Sequence, residues 1–130
     1  MQINESTENY LEMILVLQKQ QGMVRSIDIA NAMGFSKPSI SIAMKRLREN
    51  DYIQMDPFGF ITLTEKGNEI AQRVMMRHDL LKKLLIALGV SEETAHADAC
   101  KMEHDLSDES IEAMQRHIAI YAKHMLKTQE

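Results

Sequence analysis

The stretch RSIDIANAMGFSKPSISIAMKRLREN, residues 25–50, limits the possible folds more than any other part of the chain. Ile27, Ile29, Ala30 and Met33 recur at helical spacing, Ser26 is available as a cap, and Gly34 stops the segment. Ser36 then caps a second helix. Pro38 falls in its first turn, where a missing N–H costs nothing, and Ile40, Met44 and Leu47 share one face. Two short helices joined by a tight glycine-containing turn form a helix-turn-helix signature. DYIQMDPFGFITLT follows directly and reads as two short strands around a turn. Tyr52, Ile53, Phe60, Ile61 and Leu63 favour strand, while Pro57 and Gly59 favour the turn. A hairpin in that place is a wing.

The rest of the chain reads as helix. Leu11, Ile14, Leu15 and Leu17 give residues 5–20 an apolar side, with Asn4 or Ser6 as cap and Gly22 as stop. Thr64 and Glu65 open a long helix to about Leu88, ended by Gly89. Ser91 with Glu92 and Glu93 opens another to about Leu106, and the segment SDES opens a last one from Asp108 to Leu126. The expected fold is mainly α, with a winged helix-turn-helix over residues 1–70 and an all-helical domain over 71–130. Apolar residues make up 45% of the chain, enough for a packed core. LLKKLLIALGV is short and carries two lysines, so no membrane span is expected. A single cysteine excludes an intrachain disulfide, and MQINESTENY lacks a secretory pattern. These features predict a cytoplasmic protein.

The net charge of −4 is unevenly spread. Residues 1–90 carry a net +1 and residues 91–130 a net −5, and the segment 36–50 sets Lys37, Lys45, Arg46 and Arg48 against Glu49 alone. Local charge, rather than the global sum, is what phosphate contact needs. In a winged helix-turn-helix the second helix enters the major groove with its early residues toward base edges. That nominates Ser36, Lys37, Pro38, Ser39 and Ser41 for DNA contact, with Lys45, Arg46 and Arg48 on phosphate. Winged helices also mediate protein contacts. One recognition helix gives weak specificity, so a homodimer on a pseudo-palindromic double-stranded operator is expected.

A second constellation surrounds the only cysteine, in ADACKMEHDLSDES. At 100° per residue, His96, Cys100, Glu103 and His104 share one side of a helix, while Ala95, Ala99, Met102 and Leu106 form the adjoining core face. Thiol, carboxylate and imidazole at i, i+3 and i+4 can converge on one transition metal. The same spacing suits a buried cysteine beside a solvated Glu–His pair. One helix cannot complete a coordination sphere, so His78, Asn9 and Glu12 are further candidate ligands. His117 and His124 share a face of the last helix and read as surface or dimer-contact residues.

ENYLEMI, DIANAMGFSKPSISIAMKRL, GFITLTEKG, the pair Arg77-His78 and ADACKMEHDLSDES occur in an order and spacing that resemble the diphtheria toxin repressor and manganese transport regulator family, over about Thr7 to Tyr121. The resemblance implies a metal-activated dimeric repressor of metal homeostasis, not an enzyme, whose carboxy-terminal domain binds metal and dimerises. It implies that Glu103, His104 and His78 match ligands of both branches, Cys100 and His96 match the iron branch, and Glu12 matches the manganese branch. Asn9 departs from both, and Lys82 stands where the iron branch has a second-site Glu. The iron branch's SH3-like domain has no counterpart in these 130 residues, so in length the chain resembles the manganese branch.

The first shell implied is a hybrid. A primary site of Asn9, Cys100, Glu103 and His104 stands beside a second site of Glu12, His78 and His96, with Glu103 available to both. A thiolate among N and O donors favours Fe(II) over Mn(II), which prefers hard oxygen, so Fe(II) is the expected signal and Mn(II) the alternative. Metal held by the first helix, the long helix and the Cys100 helix would fix the separation of two DNA-reading domains. Leu80, Leu81, Leu84, Leu85, Ile111, Met114, Ile118 and Tyr121 would supply dimer interface and local core. A different class of reading is a metal-independent regulator with Cys100 as redox sensor.

Overall fold

A computed structural model describes the backbone of residues 4–128 and the side chains of residues 4–120. Tyr121 and His124 therefore lie outside the described side chains. The elements are α1 (Glu5–Gln21), α2 (Ser26–Met33), α3 (Lys37–Glu49), β1 (Ile53–Met55), β2 (Ile61–Leu63), α4 (Glu65–Ala87), α5 (Glu92–Met102) and α6 (Asp108–Thr128). The chain divides into two compact units between Val74 and Met75.

In the first unit, local signals set most helix ends. The Thr7 N–H donates to Asn4 Oδ1 at 2.9 Å, so Asn4 rather than Ser6 caps α1, and Gly22 closes it at φ 84°. Ser26 does not cap α2. Arg25 holds that position, and its N–H donates to Asp28 Oδ2 at 2.9 Å, so the carboxylate three residues on supplies the acceptor. Gly34 ends α2 in the left-handed region at φ 70°, and Ser36 caps α3 as its sequence suggests. The far end of α3 closes without glycine. The Asp51 N–H reaches Arg48 O and the Tyr52 N–H reaches Leu47 O, while Asp51 adopts φ 64°. This is a Schellman turn, and it buries Tyr52 and Leu47 as it starts the wing.

The wing pairs Ile53 with Leu63, Gln54 with Thr62 and Met55 with Ile61, antiparallel. Strand β2 begins at Ile61 and not at Phe60. Asp56 Oδ1 accepts from the N–H groups of Phe58 and Phe60, both at 2.9 Å, which closes the turn. Val24, between α1 and α2, adds an isolated bridge to Ile61. Helix α1 packs on α2 and β2, and α3 packs on α2 and β1. Leu11, Ile14, Ile29, Ile40, Met44, Leu47, Ile53 and Ile61 are buried between them, at about 1.5–3 kcal/mol of burial energy each. The start of α4 seats on this unit through Gly67, where a β-carbon would lie 2.0 Å from Tyr52 O. Only a residue without that carbon lets the helix backbone approach so closely.

In the second unit Leu81, Ala95, Ala99 and Ile111 are buried, and Leu80, Leu84, Leu85, Met114 and Ile118 are half-buried. Helix α5 ends at Met102, four residues before the Leu106 that periodicity suggests. Residues 103–106 form a turn held by Arg77. Its Nη1 donates to Glu103 O at 3.3 Å and Leu106 O at 2.7 Å, and its Nη2 bonds the Asp108 carboxylate at the start of α6. Those carbonyls are taken from outside the helix, so the chain turns instead of winding on.

Candidate functional site

Three side chains of the second unit bring donor atoms within 4.8 Å of one another: His78 from α4, and His96 and Cys100 from α5. The His96–Cys100 pair follows from i, i+4 spacing on one helix face. His78 is supplied by α4. Cys100 Sγ stands 3.7 Å from His78 Nδ1 and 3.8 Å from His96 Nε2, and the two imidazoles meet edge to face with centroids 4.7 Å apart. In a tetrahedral site with metal–ligand lengths of about 2.0–2.3 Å, donors lie roughly 3.3–3.8 Å apart. The sulfur–nitrogen separations match that edge length, so these residues fit a transition metal.

The turn after α5 contributes Glu103, whose side chain is buried to 1% exposure. One carboxylate oxygen lies 2.9 Å from His78 Nδ1 and the other 3.4 Å from His104 Nε2. Burial, followed by the neighbouring His96, holds the His78 ring below the ordinary histidine value; Lys82 acts in the same sense and Asp79 only partly offsets them. The Nδ1 of His78 that faces the sulfur also lies against Glu103, while its Nε2 lies 3.1 Å from His96 Nδ1.

Glu103 thus lies beside the trio, while His104 is not among the three converging residues. Glu103 closes α5 with its N–H still on Ala99 O and its side chain is buried, while His96 and Cys100 are exposed. His104 lies on the far side of the Glu103 carboxylate from His78, outside the converging trio. Asn9 and Glu12 lie half-buried on α1, in the first unit. The trio therefore joins one residue of the expected primary set to two of the second. Arg77, which fastens the turn carrying Glu103, is absent from the sequence-derived candidates. Its signal was a charge at a core position of α4, between the buried Val74 and Leu81.

In the first unit, Ser36, Lys37, Pro38, Ser39, Ser41, Lys45 and Arg46 are all exposed on α3 or at its start. Ser36 Oγ caps the helix and bonds Ser39 Oγ at 2.9 Å, so these two hydroxyls are oriented by each other. The wing, residues 51–63, carries Asp51 and Asp56 and no Lys or Arg. Positive charge beside it comes from Arg25, stacked 4.3 Å from the Phe60 ring centroid, and from Arg48. Arg25 was not among the residues expected to face phosphate, because nothing in the local pattern places it against the wing.

Two family models match the chain: the iron-dependent repressor N-terminal DNA-binding domain over residues 2–59, and the iron-dependent repressor metal-binding and dimerisation domain over residues 64–124. The transcriptional regulator MntR of Escherichia coli is 37% identical over 109 residues, covering 84% of this chain and 70% of that protein. Among solved structures, the manganese regulator SloR superposes with a TM-score of 0.76 at 28% identity, covering 92% of this chain and 55% of that one. A manganese-dependent transcriptional repressor in complex with manganese superposes with a TM-score of 0.80 at 27% identity, covering 87% and 52%. The chain thus spans just over half the length of these two structural relatives.

Proposed function

Because the chain belongs to the iron-dependent repressor family of metal-dependent transcriptional repressors, and not to a family of enzymes, we propose that it represses transcription in the cytoplasm as a homodimer on a pseudo-palindromic operator when Mn(II) binds. The observation that carries this reading is the convergence of His78, His96 and Cys100 beside the buried Glu103. Manganese is taken as the signal because the two solved relatives above are described as manganese-responsive. The donor set supports a second reading, Fe(II). Two imidazoles and a thiol are softer than the oxygen-rich shell that suits Mn(II).

His78, His96 and Cys100 would hold the metal, with Glu103 either joining them or orienting His78. When bound, the metal supplies a crosslink between α4 and α5. Cys100 must give up its proton to ligate, while burial already disfavours the charged form of His78. His104 accompanies Glu103 in the turn. For Asn9 and Glu12 the support is the resemblance alone, and unchanged metal affinity in Glu12→Gln would remove Glu12 from the set. Ser36, Lys37, Pro38, Ser39, Ser41, Lys45 and Arg46 would meet the operator. Self-association through the second unit is supported by its match to a dimerisation domain, and Leu84, Leu88 and Ile118, with Lys83 and His117, line a cleft of about 190 Å³ there. No described helix is long and apolar enough to cross a membrane.

Anaerobic footprinting on the chain's own upstream region, with Mn(II), Fe(II) or chelator, tests the proposal. Protection with Mn(II) at lower concentration than Fe(II) is expected. The reverse order selects the iron reading, and equal protection with chelator removes metal control altogether.

A further inference from the structure

Ile42 is 59% exposed in the middle of α3 and takes no part in the core, which that helix enters through Ile40, Met44 and Leu47. At 100° per residue it projects about half a turn from those three residues. Its neighbours on the outer face are Pro38, Ser39, Ser41, Lys45 and Arg46, all exposed. It is the one large apolar side chain exposed on α3 among the described residues. Ile42 and Ala43, with Ser39 and Arg46, also border a cleft of about 280 Å³ that Tyr10 of α1 closes on the other side.

Building on the DNA-binding reading above, we infer that Ile42 is a specificity residue that reads a thymine methyl group in the major groove of each half-site. The cationic side chains around it would draw the phosphates to this face and leave Ile42 turned toward the groove. An isoleucine offers neither donor nor acceptor, so it satisfies no polar base edge and can discriminate only through an apolar group. The apolar group that a DNA base presents in the major groove is the C5 methyl of thymine. Contact between the two removes apolar surface from water on both sides. The hydroxyls of Ser39 and Ser41 flank the side chain and suit the polar positions beside that methyl.

The test selects duplexes from a random pool with the metal-loaded full chain, then replaces each selected thymine singly by deoxyuridine, which lacks only the methyl. For the natural protein one thymine per half-site should show a loss of about fourfold in affinity, or about fifteenfold when both half-sites are changed. The Ile42→Ala protein should bind the natural duplex about as weakly as the natural protein binds the deoxyuridine duplex, still respond to metal, and show no further loss at that thymine. A natural protein indifferent to deoxyuridine everywhere, or an Ile42→Ala protein with an undiminished loss, overturns the assignment while the repressor reading stands. Failure of the natural protein to select any sequence overturns both.

Discussion

Arg77 stands where the spacing of α4 calls for a core residue, since Ile70, Val74, Arg77 and Leu81 follow one another in steps of three and four and all are buried. Its guanidinium replaces apolar packing by fastening the turn that carries Glu103. Arg77→Met keeps most of the volume and leaves two carbonyls without their donor. It should lower stability by about 2–3 kcal/mol in urea unfolding and weaken metal binding through a loosened Glu103. Cys100→Ser should behave in the opposite way. The side chain is exposed, so stability without metal should change by less than about 0.5 kcal/mol. Metal affinity in calorimetric titration should fall at least about tenfold, and the sulfur-to-metal band of the Co(II)-loaded protein should vanish; an unaltered spectrum would remove the thiol from the site. How much of this centre was legible differs residue by residue. His96 and Cys100 share a helix face and could be paired from their spacing. The inward turn of Glu103 depends on Arg77, which lies 26 positions earlier, and no local window contains that contact.

Glycine at position 67 illustrates a conflict between helix preference and packing. Alanine in a helix interior is ordinarily better than glycine by about 1 kcal/mol. Here its β-carbon would meet a backbone carbonyl at 2.0 Å, and a backbone atom cannot swing aside. Gly67→Ala should therefore destabilise the first unit by about 2–3 kcal/mol or more, read as a lowered melting temperature; a rise would refute the close seat of α4 on Tyr52. The end of α3 gives the converse case. Asp51 sits in the left-handed region at φ 64°, which costs most L-residues roughly 1–2 kcal/mol and an aspartate less. Asp51→Gly should gain up to about 1 kcal/mol, after the larger entropy loss of glycine on folding. The helix pair was readable because Gly34, Ser36 and Pro38 act locally. The Schellman turn at Asp51 was not, because it has no glycine to announce it.

At the scale of the whole chain, metal and protons should compete. Burial lowers the His78 pKa, so the folded chain resists charging that ring more than the unfolded chain does. The associated stability is complete above the unfolded value of about 6.5 and is lost as pH falls from there through the lowered folded value. Metal binding, which needs every ligand deprotonated, should weaken over the same descent and release protons on association. Metal at about a hundred times its Kd should add about 2.7 kcal/mol to unfolding, so thermal melts with and without chelator should separate at pH 7.5 and converge toward pH 5. Parallel melts at both pH values would deny the site this linkage. Glu103 has a longer reach than its position suggests. Its carboxylate touches His78 and His104, and its carbonyl receives Arg77, which also holds the first residue of α6. Should an ion bind at His78, any movement of that ring would pass along this chain of polar contacts to a helix in the domain assigned to dimerisation.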